Sequence, residues 1–149
     1  NEHSLEVQLP FLQVARPDVR VLPICLSHLP LDHCLELGRA LARVVRAVDD
    51  EVVVVVSSDM SHYESDEEAR RLDRLAVDAA LSLNPGDLYE AVRRHRVSMC
   101  GVIPATVALE ACCRLGVEVA ELVDYATSGD VSGDRSAVVG YAALAFSRA

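Results

Sequence analysis

The run Val52-Val53-Val54-Val55-Val56 is too apolar for a strand that keeps one wet face. It predicts a strand buried on both faces, as in a parallel sheet covered by helices. Residues 19–26, rich in β-branched and apolar side chains, predict an earlier strand. Between these two, Cys34, Leu35, Gly38, Leu41, Ala42, Val45 and Val48 recur at helical spacing and predict a helix over 31–48. Upstream, 4–15 predicts a short helix interrupted or bent near Pro10, followed by the turn Arg16-Pro17-Asp18.

Beyond the valines, Leu72, Leu75, Ala76, Ala79, Ala80 and Leu83 mark the buried stripe of a helix over 65–83. Asp66, Glu67 and Glu68 at its start complement the positive end of the helix dipole. Asn84-Pro85-Gly86 stops it, and Asp87 can cap a shorter helix reaching Arg94. Pro104 suits the first turn of another helix, which Gly116 ends. Strands are expected over 117–124 and 137–146, with Gly140 marking close backbone packing in the last one. Strands alternating with helices predict an α/β fold whose sheet is mostly parallel or mixed and flanked by helices, with room for an antiparallel edge.

The chain has 149 residues, enough for a single core, and neither a linker nor a repeat divides it. With 51% hydrophobic and 25% charged residues, disorder is excluded. No apolar run approaches the roughly 20 residues that span a bilayer. The net charge of −9 argues against nonspecific binding to nucleic acid or to an anionic membrane. All 14 basic residues are arginine, which carries no functional reading. The five cysteines are odd in number and form no CxxC pair, which suits a reducing, cytoplasmic compartment.

Chemistry is concentrated where the valines end. Ser57-Ser58-Asp59-Met60-Ser61-His62 switches abruptly to hydroxyls, a carboxylate and an imidazole. In open α/β sheets, ligands bind beyond the carboxyl ends of strands. The competing reading is that Ser58 or Asp59 caps the next helix and His62 lies on the surface. Cys100 stands beside Gly101 before a helix N-terminus, where the dipole favours the thiolate that binds metal or attacks an electrophile. Against that stands an inert, buried thiol. Cys112 shares an apolar face with Val107, Ala108, Ala111 and Leu115, while Cys25 and Cys34 read as packing residues. His28, His33 and His95 read as surface residues. The charges after Tyr63, including Glu67 with Arg71 and Arg70 with Asp73 or Arg74, read as a solvated helical face. The segment around Gly129 and Gly133 lacks phosphate-loop spacing.

Three segments fit one pattern in order and spacing. They are Glu2-His3-Ser4-Leu5-Glu6 with Leu9-Pro10-Phe11, then Ser57 to His62, then Cys100-Gly101-Val102-Ile103-Pro104. Together with 136–146, they resemble the C-terminal half of the Memo family, whose prokaryotic members are called AmmeMemoRadiSam system protein B. The resemblance implies a fold similar to class III extradiol non-haem iron dioxygenases. It implies a pocket lined by two upstream histidines and, by position, by Asp59, His62 and Cys100. Cys100 then corresponds to a metal ligand, His62 to an acid/base, and Asp59 to a group that orients His62 or a ligand. His3 belongs to the first motif as a pocket residue of unassigned role. The implied metal is iron, with copper as the alternative, in a site that is incomplete here because the two histidines would lie before Asn1. A half of that fold is expected to expose a sheet edge and an apolar patch.

The resemblance leaves three functional classes. One is redox or dioxygenase-like chemistry on an unknown small molecule. Another is a noncatalytic module that binds a peptide or a partner protein of a radical SAM system. The third is a metal-free hydrolase with Cys100 as nucleophile, His62 as base and Asp59 as orienter. All three require Asp59, His62 and Cys100 to converge.

Overall fold

The computed structural model describes residues 3–149. A 3-10 turn over Glu6–Gln8 runs into α1 (Leu9–Ala15). Pro10 lies in the first turn of α1, where its missing N–H has no helical partner to lose, so the stretch is interrupted there, 3-10 before it and α-helical from Leu9. The long helices are α2 (Leu31–Ala47), α3 (Asp66–Leu81), α4 (Pro85–His95) and α5 (Val102–Arg114). Ser65 caps α3 by accepting the Glu68 N–H, and Asn84 caps α4 by accepting the Gly86 N–H.

The sheet differs from the expectation. It has three strands in the order β1 (His62–Glu64), β3 (Val138–Ser147), β2 (Val119–Thr127), and both pairings are antiparallel. A five-residue helix, α6 (Ser128–Ser132), lies between β2 and β3, too short a connection for the crossover that parallel neighbours require. Residues 19–26 and 52–56 carry no assigned strand. Their β-branched side chains favour extended backbone, yet a strand also needs a partner edge, and neither segment has one among the described residues. Most of their apolar side chains are accordingly exposed, with Leu22 at 80% and Val53 at 77%, while Leu26 packs beside Cys34 and Ile103. Residues 52–56 face Leu144 and Phe146 of β3 across a groove of about 810 Å³. The fold is therefore mixed α/β, with a small antiparallel sheet flanked by helices.

The core lies between the helices and β3. Leu72, Ala76 and Val77 of α3 pack with Leu88 and Val92 of α4 and Leu109 of α5. Met60 inserts into the same cluster, which ties the chemically suspicious loop to the hydrophobic interior. A second cluster joins Cys34 of α2, Tyr89 of α4, and Ile103 and Val107 of α5. Burial raises the Cys34, Cys112 and Cys113 thiols above their ordinary value, as suits packing residues. Cys25, by contrast, is exposed and lies outside this core. No described helix is long and apolar enough to cross a membrane.

α2 and α5 approach closely because Gly38 has no side chain. A Cβ there would sit 2.6 Å from the Val107 carbonyl and 2.7 Å from Glu110 Cβ. Relief would require the two helices to separate. Gly38→Ala is therefore expected to destabilise the chain by about 1–3 kcal/mol, read as a lower urea midpoint.

An ion-pair cluster holds α6 against α3. Arg70 donates to Asp66 at 3.0 Å and to both carboxylate oxygens of Asp130 at 2.8 and 2.7 Å. The Thr127 hydroxyl donates to Asp66 at 2.5 Å, and Arg135 reaches both acids. Asp66 is held below the usual carboxylate range first by the Arg70 hydrogen bond and then by Thr127. Asp130 is lowered first by the Thr127 backbone N–H and then by Arg70. Groups depressed by folding stabilise the chain above their unfolded value, near about 4, and that contribution is lost as pH falls through the lower folded values. Stability should thus decline through this acid range. Arg70→Ala should flatten the decline, as measured by urea denaturation at a series of acidic pH values.

Candidate metal centre

The loop after the valines reaches its position through backbone contacts to β3. The Met60 N–H donates to the Gly140 carbonyl at 2.9 Å, and the Gly140 N–H donates to the Ser61 carbonyl at 2.9 Å. Met60 anchors this loop in the core, so Asp59 and His62 are carried on a fixed segment. Cys100 arrives from the other side, just before α5 and its N-cap residue Gly101.

The two segments lock through a set of short polar contacts. The Asp59 N–H donates to Cys100 Sγ at 3.2 Å. The Gly101 N–H donates to Ser58 Oγ at 2.8 Å, and Ser58 Oγ in turn donates to the Asp59 carbonyl at 2.8 Å. A Cβ at position 101 would overlap the Ser58 side chain and come within 3.0 Å of the Ser57 carbonyl. Glycine at 101 is thus what lets the loop sit against the start of α5.

His62 is clamped by Ser98. Its backbone N–H donates to Ser98 Oγ at 2.7 Å, and its ring Nδ1 lies 2.8 Å from the Ser98 carbonyl oxygen. A carbonyl only accepts, so Nδ1 carries a proton, and Nε2 is the ring nitrogen left for the site. Nε2 lies 3.5 Å from Asp59 Oδ2. The donor atoms of Asp59, His62 and Cys100 all fall within 4.8 Å of one another. The cluster is open to ligand: the His62 side chain is 25% exposed and that of Asp59 is 49% exposed.

The convergence expected from the sequence is therefore present. His3 is not part of it, for its Nδ1 pairs with Glu6 Oε2 at 2.9 Å on an exposed surface. Its neighbour Glu2 lies outside the described residues. The first motif touches the loop through another residue, since Gln8 Nε2 donates to Ser57 Oγ at 3.2 Å. Ser98 was not legible as a site residue, because nothing in Val97-Ser98-Met99 signals a partner 36 residues earlier.

The donor set suits a transition metal. Thiolate and imidazole select zinc, copper or iron over magnesium or calcium. The Ser98 carbonyl holds Nδ1 and so fixes the orientation of the His62 ring beside Asp59. A Cys-His-Asp relay fits less well. Such a relay needs one ring nitrogen for the carboxylate and the other for the nucleophile, whereas the Ser98 carbonyl takes Nδ1 and Asp59 approaches Nε2.

The family model described as Memo-like protein matches residues 1–145. The chain belongs to the Memo-like family. It is 44% identical over 149 residues to a MEMO1 family protein of Methanopyrus kandleri, covering 99% of this chain and 53% of that protein. It is 46% identical over 145 residues to one of Archaeoglobus fulgidus, covering 97% and 55% respectively. A bacterial relative, from Aquifex aeolicus, is 42% identical over 146 residues, covering 97% and 54%. The chain spans about half the length of the curated relatives it matches.

Gly101→Ala tests whether the close approach builds the centre. The added methyl must push Ser57 and Ser58 away and separate the Asp59 amide from Cys100. Metal affinity, followed by anaerobic Co(II) titration, is expected to fall by at least tenfold, on the order of changes immediately behind metal ligands. Far-ultraviolet circular dichroism should change little.

Proposed function

We propose that this part of the Memo-like family carries a metal centre of the non-haem iron type, with copper as the alternative ion. The centre supports redox or dioxygenase-like chemistry on a small molecule. The supporting observation is the meeting of the Asp59, His62 and Cys100 donor atoms, with His62 Nδ1 taken up by the Ser98 carbonyl. A bound iron would supply Lewis acidity and one-electron chemistry. Cys100 would anchor the ion, with its sulfur steadied by the Asp59 N–H. His62 would accept and return a proton at Nε2, and Asp59, 3.5 Å away, would orient that ring or the bound molecule.

The openness of the site favours a second reading, in which the same centre binds a peptide or a partner protein of a radical SAM system without turnover. The metal-free hydrolase ranks lower because of the side from which Asp59 approaches His62.

Cys100 distinguishes these readings. Fe(II), added without oxygen, is expected to slow alkylation of Cys100 by iodoacetamide, because a coordinated thiolate is not free to attack. Cys100→Ser should weaken metal binding by more than the roughly 10–100-fold typical of residues behind the ligands, and His62→Ala by less. Alkylation that ignores metal, together with hydrolysis in chelator that is lost in His62→Ala, would establish the hydrolase instead. Metal protection without oxygen consumption would favour the binding module.

A further inference from the structure

We infer that Asp73, acting with Tyr125, is a positioning residue of the metal centre: a buried carboxylate that sets the backbone of the loop carrying Asp59 and His62. This rests on the metal-centre reading above. Helical spacing places Asp73 among the solvated charges of α3, but in the fold it is 0% exposed. A buried carboxylate is costly unless its oxygens are satisfied, so its partners show what it is placed to hold.

Both oxygens have partners. Asp73 Oδ1 accepts the Ser61 backbone N–H at 2.8 Å, and Oδ2 accepts the Tyr125 hydroxyl at 2.7 Å. Ser61 lies immediately before His62 and two residues after Asp59. Ser61 Oγ has no hydrogen-bond partner, so the backbone carries this link and not the side chain. The Ser61 carbonyl is held at the same time by the Gly140 N–H. The peptide groups on both sides of Ser61 are thus fixed, one by Asp73 and one by β3.

Gly140 makes the arrangement possible. A Cβ there would land on Asp73 Oδ2 and lie 3.1 Å from the Tyr125 hydroxyl. The last strand can therefore pass over the carboxylate only with a glycine at this point. Tyr125 is in turn fixed from behind, with the Arg70 guanidinium 5.5 Å from its ring centre. Burial, and then the Asp73 hydrogen bond, raise the Tyr125 phenol above its ordinary value, so it remains a donor. The path runs from the α6 clamp through Arg70, Tyr125 and Asp73 to the amide beside His62. Neither Asp73 nor Tyr125 belongs to the donor cluster, so they act through the loop and not on a ligand.

The test uses Co(II) alone as the probe, in anaerobic titrations of the chain, with Cys100 alkylation as a second readout that needs no metal. Tyr125→Phe keeps the ring and removes only the hydroxyl. It should retain native circular dichroism, weaken Co(II) binding on the order of tenfold, and shift the visible Co(II) bands that report ligand geometry. In the metal-free chain it should change the alkylation rate of Cys100 several-fold, because the Asp59 amide that contacts the sulfur rides on the same loop. Asp73→Ala should do the same more strongly. Asp73→Asn, which retains an acceptor for the Ser61 amide, should restore most of the wild-type spectrum. A folded Tyr125→Phe with wild-type Co(II) affinity, spectrum and Cys100 alkylation would overturn the inference. Failure of the metal reading would look different: Cys100→Ser would bind Co(II) as well as the wild-type chain, while the alkylation readout would still report on the loop.

Discussion

Close packing of backbone against the loop over residues 57–62 is the constraint on which the rest of the site depends. Gly101 admits the loop on one side, and Gly140 admits the Asp73 carboxylate on the other. Between them the loop is bonded to β3, to the start of α5 and to α3. Each contact has a short reach, and none survives a displacement of about an ångström, given the narrow distance range of a hydrogen bond. Asp59 and His62 gain their mutual geometry from this enclosure, since their own side chains are partly exposed and make few contacts that could set it.

How much of this could be read from the sequence depended on the range of the interaction. Helices were legible because their apolar periodicity is local: α2 and α3 fall within two residues of the spans that the stripes predicted. The candidate residues Asp59, His62 and Cys100 were legible because abrupt polarity beside an apolar run, and a thiol before a helix, are local signals too. The sheet was not. Five valines specify a preference for extended backbone, but pairing is a property of two segments, and residues 52–56 have no partner edge among those described. Ser98 and Asp73 escaped for the same reason. A serine gains its role from an imidazole brought in by folding, and an aspartate on a charged helix turns inward only because Gly140 makes room for it.

The exposed apolar segments bear on the scale at which the fold is complete. Leu22, Val53 and their neighbours form a hydrophobic surface of the kind that a soluble chain normally covers. The matched relatives are nearly twice as long as the aligned region. The loop of the metal centre does not depend on those segments for its bonds. Its anchors are Met60 in the core, Gly140 in β3 and Asp73 in α3, all within the well-packed part of the chain. The site geometry can therefore be established by this region even though the valine run beside it is left uncovered.

A buried carboxylate is a poor means of gaining stability, because the cost of removing it from water roughly cancels what its hydrogen bonds return. An apolar residue at position 73, packed beneath Gly140, would serve the core at least as well. What an apolar residue cannot do is accept the Ser61 amide from a fixed direction while holding the Tyr125 hydroxyl. The effect of Asp73 is directional, and its direction is toward the Met60–Ser61 peptide, one residue short of His62. On the far side of that residue, Ser98 fixes the ring by Nδ1 and leaves Nε2 beside Asp59. Backbone on one side and ring orientation on the other are thus set by two groups outside the Asp59-His62-Cys100 cluster.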